Sequence, residues 1–227
     1  MCGRFVGYRS IRELEAYFPI DKVACKAAEN FNVAPSQEIL TIVKQKDENW
    51  LDKFHWGLVP FWAKDISIGN KMINARAESV AEKPSFRNAF KKRRCLIPAD
   101  GFYEWKGPKG DKQPMFIALP DKKPFAFAGL WETWNDKDAP DSIYKSCTII
   151  TTQASDSLRD IHHRMPAILK PEIYETWLDP ANQNVTELNQ ILKNEIITEL
   201  TSYPVSREVN SIRRNDPSCI EPLKING

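Results

Sequence analysis

The sequence predicts an α+β fold, a single domain over residues 1–227 built around a strongly bent, barrel-like antiparallel sheet flanked by helices. Three observations carry this expectation. Short β-rich runs bounded by turn residues recur between residues 39 and 151, and helical patterns sit before and after them. Sixteen prolines against only nine glycines favour fixed turns and irregular connections. At 227 residues, 42% of them hydrophobic, the chain can bury a substantial core, and no repeat, low-complexity tract or linker divides it.

Taken in order, Ser10-Ile11-Arg12-Glu13 is a capping-box sequence, in which serine and glutamate each satisfy an otherwise orphaned amide, and it leads into Leu14, Tyr17 and Phe18. A helix is expected over 10–18, ending before Pro19. Residues 39–43 and 54–59 flank a polar turn at 44–49 and read as a hairpin. Four further strands are expected at 95–97, 115–119, 125–131 and 146–151, each bounded by Pro, Gly, Asp or Lys. Helices are expected over 171–178, with Pro171 suited to the first helical position, and over 185–200.

The net charge of +2 is too small to attract nucleic acid by an overall field, so any DNA contact needs a local basic patch. The five cysteines, Cys2, Cys25, Cys95, Cys147 and Cys219, are odd in number and scattered without a C-x-x-C spacing. That argues against a disulfide framework and a zinc site, and no metal or organic cofactor is expected. Arg4, Arg9, Arg12 and Glu13 interrupt any apolar leader, and no run reaches membrane-spanning length. A cytoplasmic monomer in a reducing compartment, with no membrane partner, is the expectation.

Cys2 is the most informative position. Methionine before a small residue is the usual substrate for initiator removal, which leaves Cys2 with an α-amine and a thiol on neighbouring carbons. The amine, with a pKa of ~7.7–8.0, and the thiol, near ~8.5, can both react at neutral pH. The amine condenses with an aldehyde, and the thiol closes on the imine to give a five-membered thiazolidine. No internal cysteine can do this.

Five further segments are over-specified for packing. Residues 32–35 and 56–62 place prolines and aromatics, Pro35, Trp56, Phe61 and Trp62 among them, where loops are expected. In 72–78, Asn74, Arg76 and Glu78 alternate, so an extended segment would point them to one face. In 98–105, Glu104 lies between Tyr103 and Trp105, a setting expected to desolvate the carboxylate and raise its pKa. Residues 160–166 hold His162 and His163, two of the three histidines. Taken alone, Glu104 suits a salt-bridged carboxylate at a strand end, His163 a structural neighbour of His162, and Asp100 and Asp160 supports for turns. His55, alternating with aromatics, suits a partly exposed strand position. Lys91-Lys92-Arg93-Arg94 suits either a phosphate track or a helix C-terminus.

With Met1-Cys2-Gly3-Arg4-Phe5, these segments and Pro204-Val205-Ser206 resemble the SRAP family, the SOS-response-associated peptidases also called abasic-site processing proteins, from Cys2 to about Val209. The resemblance implies capture of abasic sites in single-stranded DNA as a covalent crosslink through Cys2, in the DNA damage response. It implies catalytic roles for Cys2, Asn74, Glu104 and His162. Glu104 would assist proton transfers at the amine, His162 would stabilise the ring-opened sugar and assist crosslink reversal, and Asn74 would orient the N-terminus. Arg4 and Arg76 would hold flanking phosphates, and Pro35 and Trp62 would form a wedge and stacking platform. Where the family often has a second aromatic after the one matching Trp62, this chain has Ala63, so stacking on that side is expected either to be weaker or to come from Phe61. Two other functions fit the same residues: a thiol peptidase using Cys2, whose substrate would be its own Met1–Cys2 bond, and a non-covalent reader of damaged single strands.

Overall fold

The structure, a computed structural model, describes residues 2–136 and 142–223. The chain runs β1 (Phe5–Gly7), α1 (Ile11–Glu15), β2 (Lys22–Val23), β3 (Asn30–Val33), β4 (Glu38–Gln45), β5 (Glu48–Trp56) and β6 (Asn74–Arg76). It continues through α2 (Arg87–Lys92), β7 (Arg94–Ala99), β8 (Gly101–Lys106), β9 (Gln113–Ala118), β10 (Phe125–Asn135) and β11 (Ile143–Gln153). It ends with β12 (Arg164–Pro166), β13 (Ile168–Leu169), α3 (Tyr174–Leu178), α4 (Val185–Asn194) and β14 (Thr201–Pro204).

The expected bent, barrel-like sheet is a closed ring. β11, β10, β7, β4 and β5 pair antiparallel in that order. A parallel seam between β5 and β11 then closes the circle, with His55 opposite Ser146 and Trp56 opposite Cys147. The β4–β5 hairpin turns on Lys46 and Asp47 alone, whose φ values of 48° and 68° let a two-residue turn follow the strand twist. The turn is therefore tighter than the polar run 44–49 suggests. A second, open sheet, ordered β14-β9-β8-β1-β3, packs against the ring. Phe5 meets the Trp56 ring at 5.3 Å and Phe127 at 5.7 Å, and Phe102 meets Phe127 at 6.1 Å, so one apolar core spans both sheets. On another side of the ring, Phe90 of α2, Trp177 of α3 and Leu188 and Ile191 of α4 cover Ile42, Leu51, Leu96 and Leu130.

Two local details differ from the sequence reading, and the basic run 91–94 takes the helix C-terminus that the reading allowed. α4 stops at Asn194, short of residue 200, because Ile196 and Ile197 turn away to bond along β13 and Leu200 enters the core. Trp56 is not in a loop; it ends β5, fully buried, and its indole donates to the Ile73 carbonyl at 2.9 Å. The basic run 91–94 splits at the end of α2. Lys91 and Lys92 are exposed, Arg93 pairs with Glu132, and Arg94 is buried, its guanidinium donating to the carbonyls of Phe90, Lys91, Trp177 and Asp179.

Candidate active site

β1 pairs with β8, Phe5 opposite Phe102, and the Tyr103 amide donates to the Arg4 carbonyl. Continuing that antiparallel register carries Glu104 alongside the first residues of the chain. From the other side, β6 pairs in parallel with β11, Asn74 opposite Ile149, and the Asn74 side-chain amide donates to the Cys2 carbonyl at 2.8 Å. The start of the chain is thus seated by two elements distant in sequence. Cys2 is fully buried, and burial first, then the nearby Glu104 carboxylate, pushes its thiol pKa far above the ordinary value.

Glu104 lies within β8, not at its end, and is buried. Burial raises its pKa to about 7, against the opposing pull of the N-terminal positive charge. The desolvation was expected, but its source differs. In a strand, neighbours point to opposite faces, so Tyr103 and Trp105 turn away from Glu104. Their polar tips bond elsewhere, the Tyr103 hydroxyl to the Phe31 carbonyl at 2.7 Å and the Trp105 indole to Asn210 Oδ1 at 2.7 Å. Glu104 shares its face with Phe102, a member of the core.

His162 is half-buried and stacks on His163, ring centres 4.4 Å apart. Its Nδ1 lies 3.0 Å from the Arg164 amide nitrogen and 3.1 Å from the Arg164 carbonyl. Burial lowers its pKa, with the N-terminal charge, His163 and Lys112 acting in the same direction. Lys112, on the turn between β8 and β9, also acts on Glu104. Cys2, Asn74, Glu104 and His162 therefore surround one locus at the start of the chain. Lys112 and Arg164 belong to its surroundings without having been singled out from sequence; Arg164 stood in a marked segment, whereas nothing in the sequence marks Lys112.

Of the expected binding residues, Arg76 shares β6 with Asn74 and Arg4 follows Cys2 by two residues, while Pro35 and Trp62 lie on other loops. Arg76 is exposed at the end of β6. Arg4 is half-buried on the opposite face of β1 from Phe5, where its Nη1 donates to Asn32 Oδ1 at 2.6 Å and the Val209 carbonyl at 2.9 Å, and where burial lowers its pKa. Pro35 is partly buried, and Ser36 beside it bonds to the Trp56 carbonyl and to Asn70. Phe61 and Trp62 are 56% and 48% exposed on a loop pinned by the Trp134 indole donating to the Ala63 carbonyl at 2.8 Å. The base of that loop is a close backbone crossing. A Cβ on Gly57, whose φ is 144°, would stand 2.6 Å from the Gly69 carbonyl oxygen. Asp100 supports a turn, accepting from the Tyr8 amide and from Arg9 Nε. His55 packs at a tilt on Tyr144. Among the described residues, no group of three or more His, Cys, Asp or Glu could hold a metal, and no helix is long and apolar enough to cross a membrane.

The architecture is that of a protein that seats the start of its chain, Cys2 onward, among titratable groups. Residues 1–212 match the SRAP family, SOS response associated peptidase, and the chain belongs to that family. It is 46% identical over 225 residues to the abasic site processing protein YoqW of Bacillus subtilis (strain 168), a match covering 97% of this chain and 99% of that one. It is 34% identical over 201 residues to the abasic site processing protein HMCES of Gallus gallus, covering 78% of this chain and 59% of the relative. The crystal structure of a protein from Bacteroides thetaiotaomicron superposes with a TM-score of 0.86 at 29% identity, covering 98% of this chain and all of that one (100%).

Proposed function

We propose that this chain processes abasic sites in single-stranded DNA by capturing them covalently through Cys2 once Met1 is removed. The observation that carries the reading is the seating of the Cys2 main chain by Asn74 beside a carboxyl group that titrates near neutrality. The ring-opened abasic sugar presents an aldehyde at C1′. The Cys2 amine adds to that carbon and the carbinolamine loses water to give an imine. The thiol then adds its sulfur to the imine carbon and its proton to the nitrogen, closing a thiazolidine with one water released overall.

With a pKa of about 7, Glu104 is present in both protonation states near neutral pH, so it can take a proton from the amine and give one to the departing hydroxyl. His162, whose pKa lies below the ordinary value, stays neutral there and can exchange a proton with the sugar oxygen. Arg76, and Arg4 through Nη2 and Nε, would hold flanking phosphates, which leaves base identity unread. Pro35, Phe61 and Trp62 would wedge and stack on neighbouring bases. A thiol peptidase needs a thiolate, and burial pushes Cys2 the other way, which favours the amine as the first nucleophile.

Incubating the protein with abasic and with intact single strands, followed by a denaturing gel and intact mass, tests the reading. An adduct only with abasic DNA, lost in Cys2→Ala, is expected. An adduct of the same yield and heat stability in Cys2→Ala would sink the thiazolidine, and binding without any adduct would leave a non-covalent reader.

A further inference from the structure

Arg164 is buried two residues after His162, and its guanidinium makes a two-pronged ion pair with Glu78, at 2.6 Å and 3.0 Å, while also donating to the carbonyl and hydroxyl of Thr151. The main chain of the same arginine holds His162 Nδ1 through its amide and carbonyl. β12, which begins at Arg164, pairs with β11 through Gln153 and Thr151, and β6 pairs with β11 through Thr151 opposite Arg76. Glu78 lies two residues beyond β6. The ion pair therefore reaches across β11, from the strand end that carries Asn74 and Arg76 to the segment that carries His162.

We propose that the Glu78–Arg164 pair is a positioning device for His162, fixing the main chain that grips Nδ1 so that proton exchange falls to Nε2 in register with Asn74. The proposal rests on the covalent reading above. A bidentate guanidinium–carboxylate pair is strongly directional, which suits a group that must set an angle. In the neutral ring Nδ1 accepts from the Arg164 amide, which leaves the proton on Nε2, and in the protonated ring Nδ1 donates to the Arg164 carbonyl. Glu78 occupies the guanidinium edge that a phosphate would otherwise take.

The charged and titratable groups around His162 are His163, stacked on it, Lys112 from the turn between β8 and β9, the N-terminal charge and Arg164 itself. Loosening of that grip is best read by nitrogen NMR of His162 in Glu78→Gln and Arg164→Lys without DNA. Both variants are expected to mix the two tautomers and to raise the His162 pKa toward its ordinary value as the ring meets water. Removing a carboxylate without loosening would lower that pKa, so the sign separates the two causes. At saturating abasic DNA, adduct formation should slow about tenfold, a fraction of the 10²–10⁴-fold a positioned acid or base supplies, with its pH profile moved the same way. Affinity measured in the Cys2→Ala background should not change.

Thermal melting checks that each variant folds, and Glu78→Gln, the milder change, carries the test if Arg164→Lys does not. An unchanged His162 tautomer and pKa in folded Glu78→Gln would overturn the proposal. So would Arg164→Lys losing affinity for intact single strands at an unchanged saturated rate, which would make Arg164 a phosphate contact. A parent that forms no adduct would overturn the covalent reading alone, since the NMR result stands without DNA.

Discussion

A carboxyl group that titrates at about 7 when folded and near 4.5 when unfolded binds its proton more tightly in the folded chain, as Glu104 does. Its contribution to stability is therefore complete below about 4.5 and lost as pH rises to about 7, a change of up to about 3 kcal/mol. Urea denaturation at pH 5 and pH 8 should show the parent losing more stability across that interval than Glu104→Gln. Asp100 and Glu132, also raised by burial, remain in both proteins and cancel. In single-turnover crosslinking, Glu104→Gln and His162→Ala should each slow the adduct by about 10²–10⁴-fold where proton transfer limits the rate, without loss of DNA affinity. Unchanged rates with weaker binding would make both residues binding groups. Cys2 stood out by its residue type and place, whereas Glu104 and His162 were singled out through the family resemblance; the structure brings all three to the start of the chain. The source of Glu104's desolvation was not legible, since only the strand assignment shows that Tyr103 and Trp105 face away. Lys112 reaches the site through a turn, which residue type alone does not reveal.

Among the elements, the loop after β5 is pinned by the crossing of Gly57 and Gly69, by Trp134 and by Asn70. Gly57→Ala meets both a backbone oxygen and a positive φ, so a cost of about 1–3 kcal/mol is expected, together with weaker single-strand binding as Phe61 and Trp62 shift. Fluorescence anisotropy with intact DNA would check this; unchanged affinity would place the bases elsewhere. Arg76→Ala should reduce the salt dependence of that binding by about one unit of slope for any base sequence. The capping box of α1 was readable because its bonds are local, and both of them form. β1, β3 and β12 escaped notice because three or four residues cannot show a period. The segment 98–105 hid two strands. Its bend at Asp100 brings Gly101 so near Phe116 that a Cβ there would stand 2.3 Å from the ring.

Across the whole molecule, the ring and the open sheet share Phe5, Trp56, Phe102 and Phe127, so they should unfold together. Phe5→Ala should cost about 3–5 kcal/mol and leave the far- and near-ultraviolet transitions coincident; two separated transitions would show that the sheets are independent. The barrel-like bend was legible from strand runs and prolines, but the parallel seam was not, because nothing local in 54–59 or 146–151 names a partner so far along the chain. That distance also sets a timetable. β1 can pair with β3 once residue 33 is made, but the side of its socket that carries Glu104 waits for β8, where Phe5 meets Phe102. At about 5–20 residues per second, synthesis leaves the start of the chain open to processing enzymes for roughly 5–20 s before its socket can exist. A cysteine sealed in the finished protein is thus within reach of a methionine-removing enzyme while the ribosome is still working. Nascent chains arrested before β8 should react readily at Cys2 with a thiol reagent, and chains carried past β11 should not.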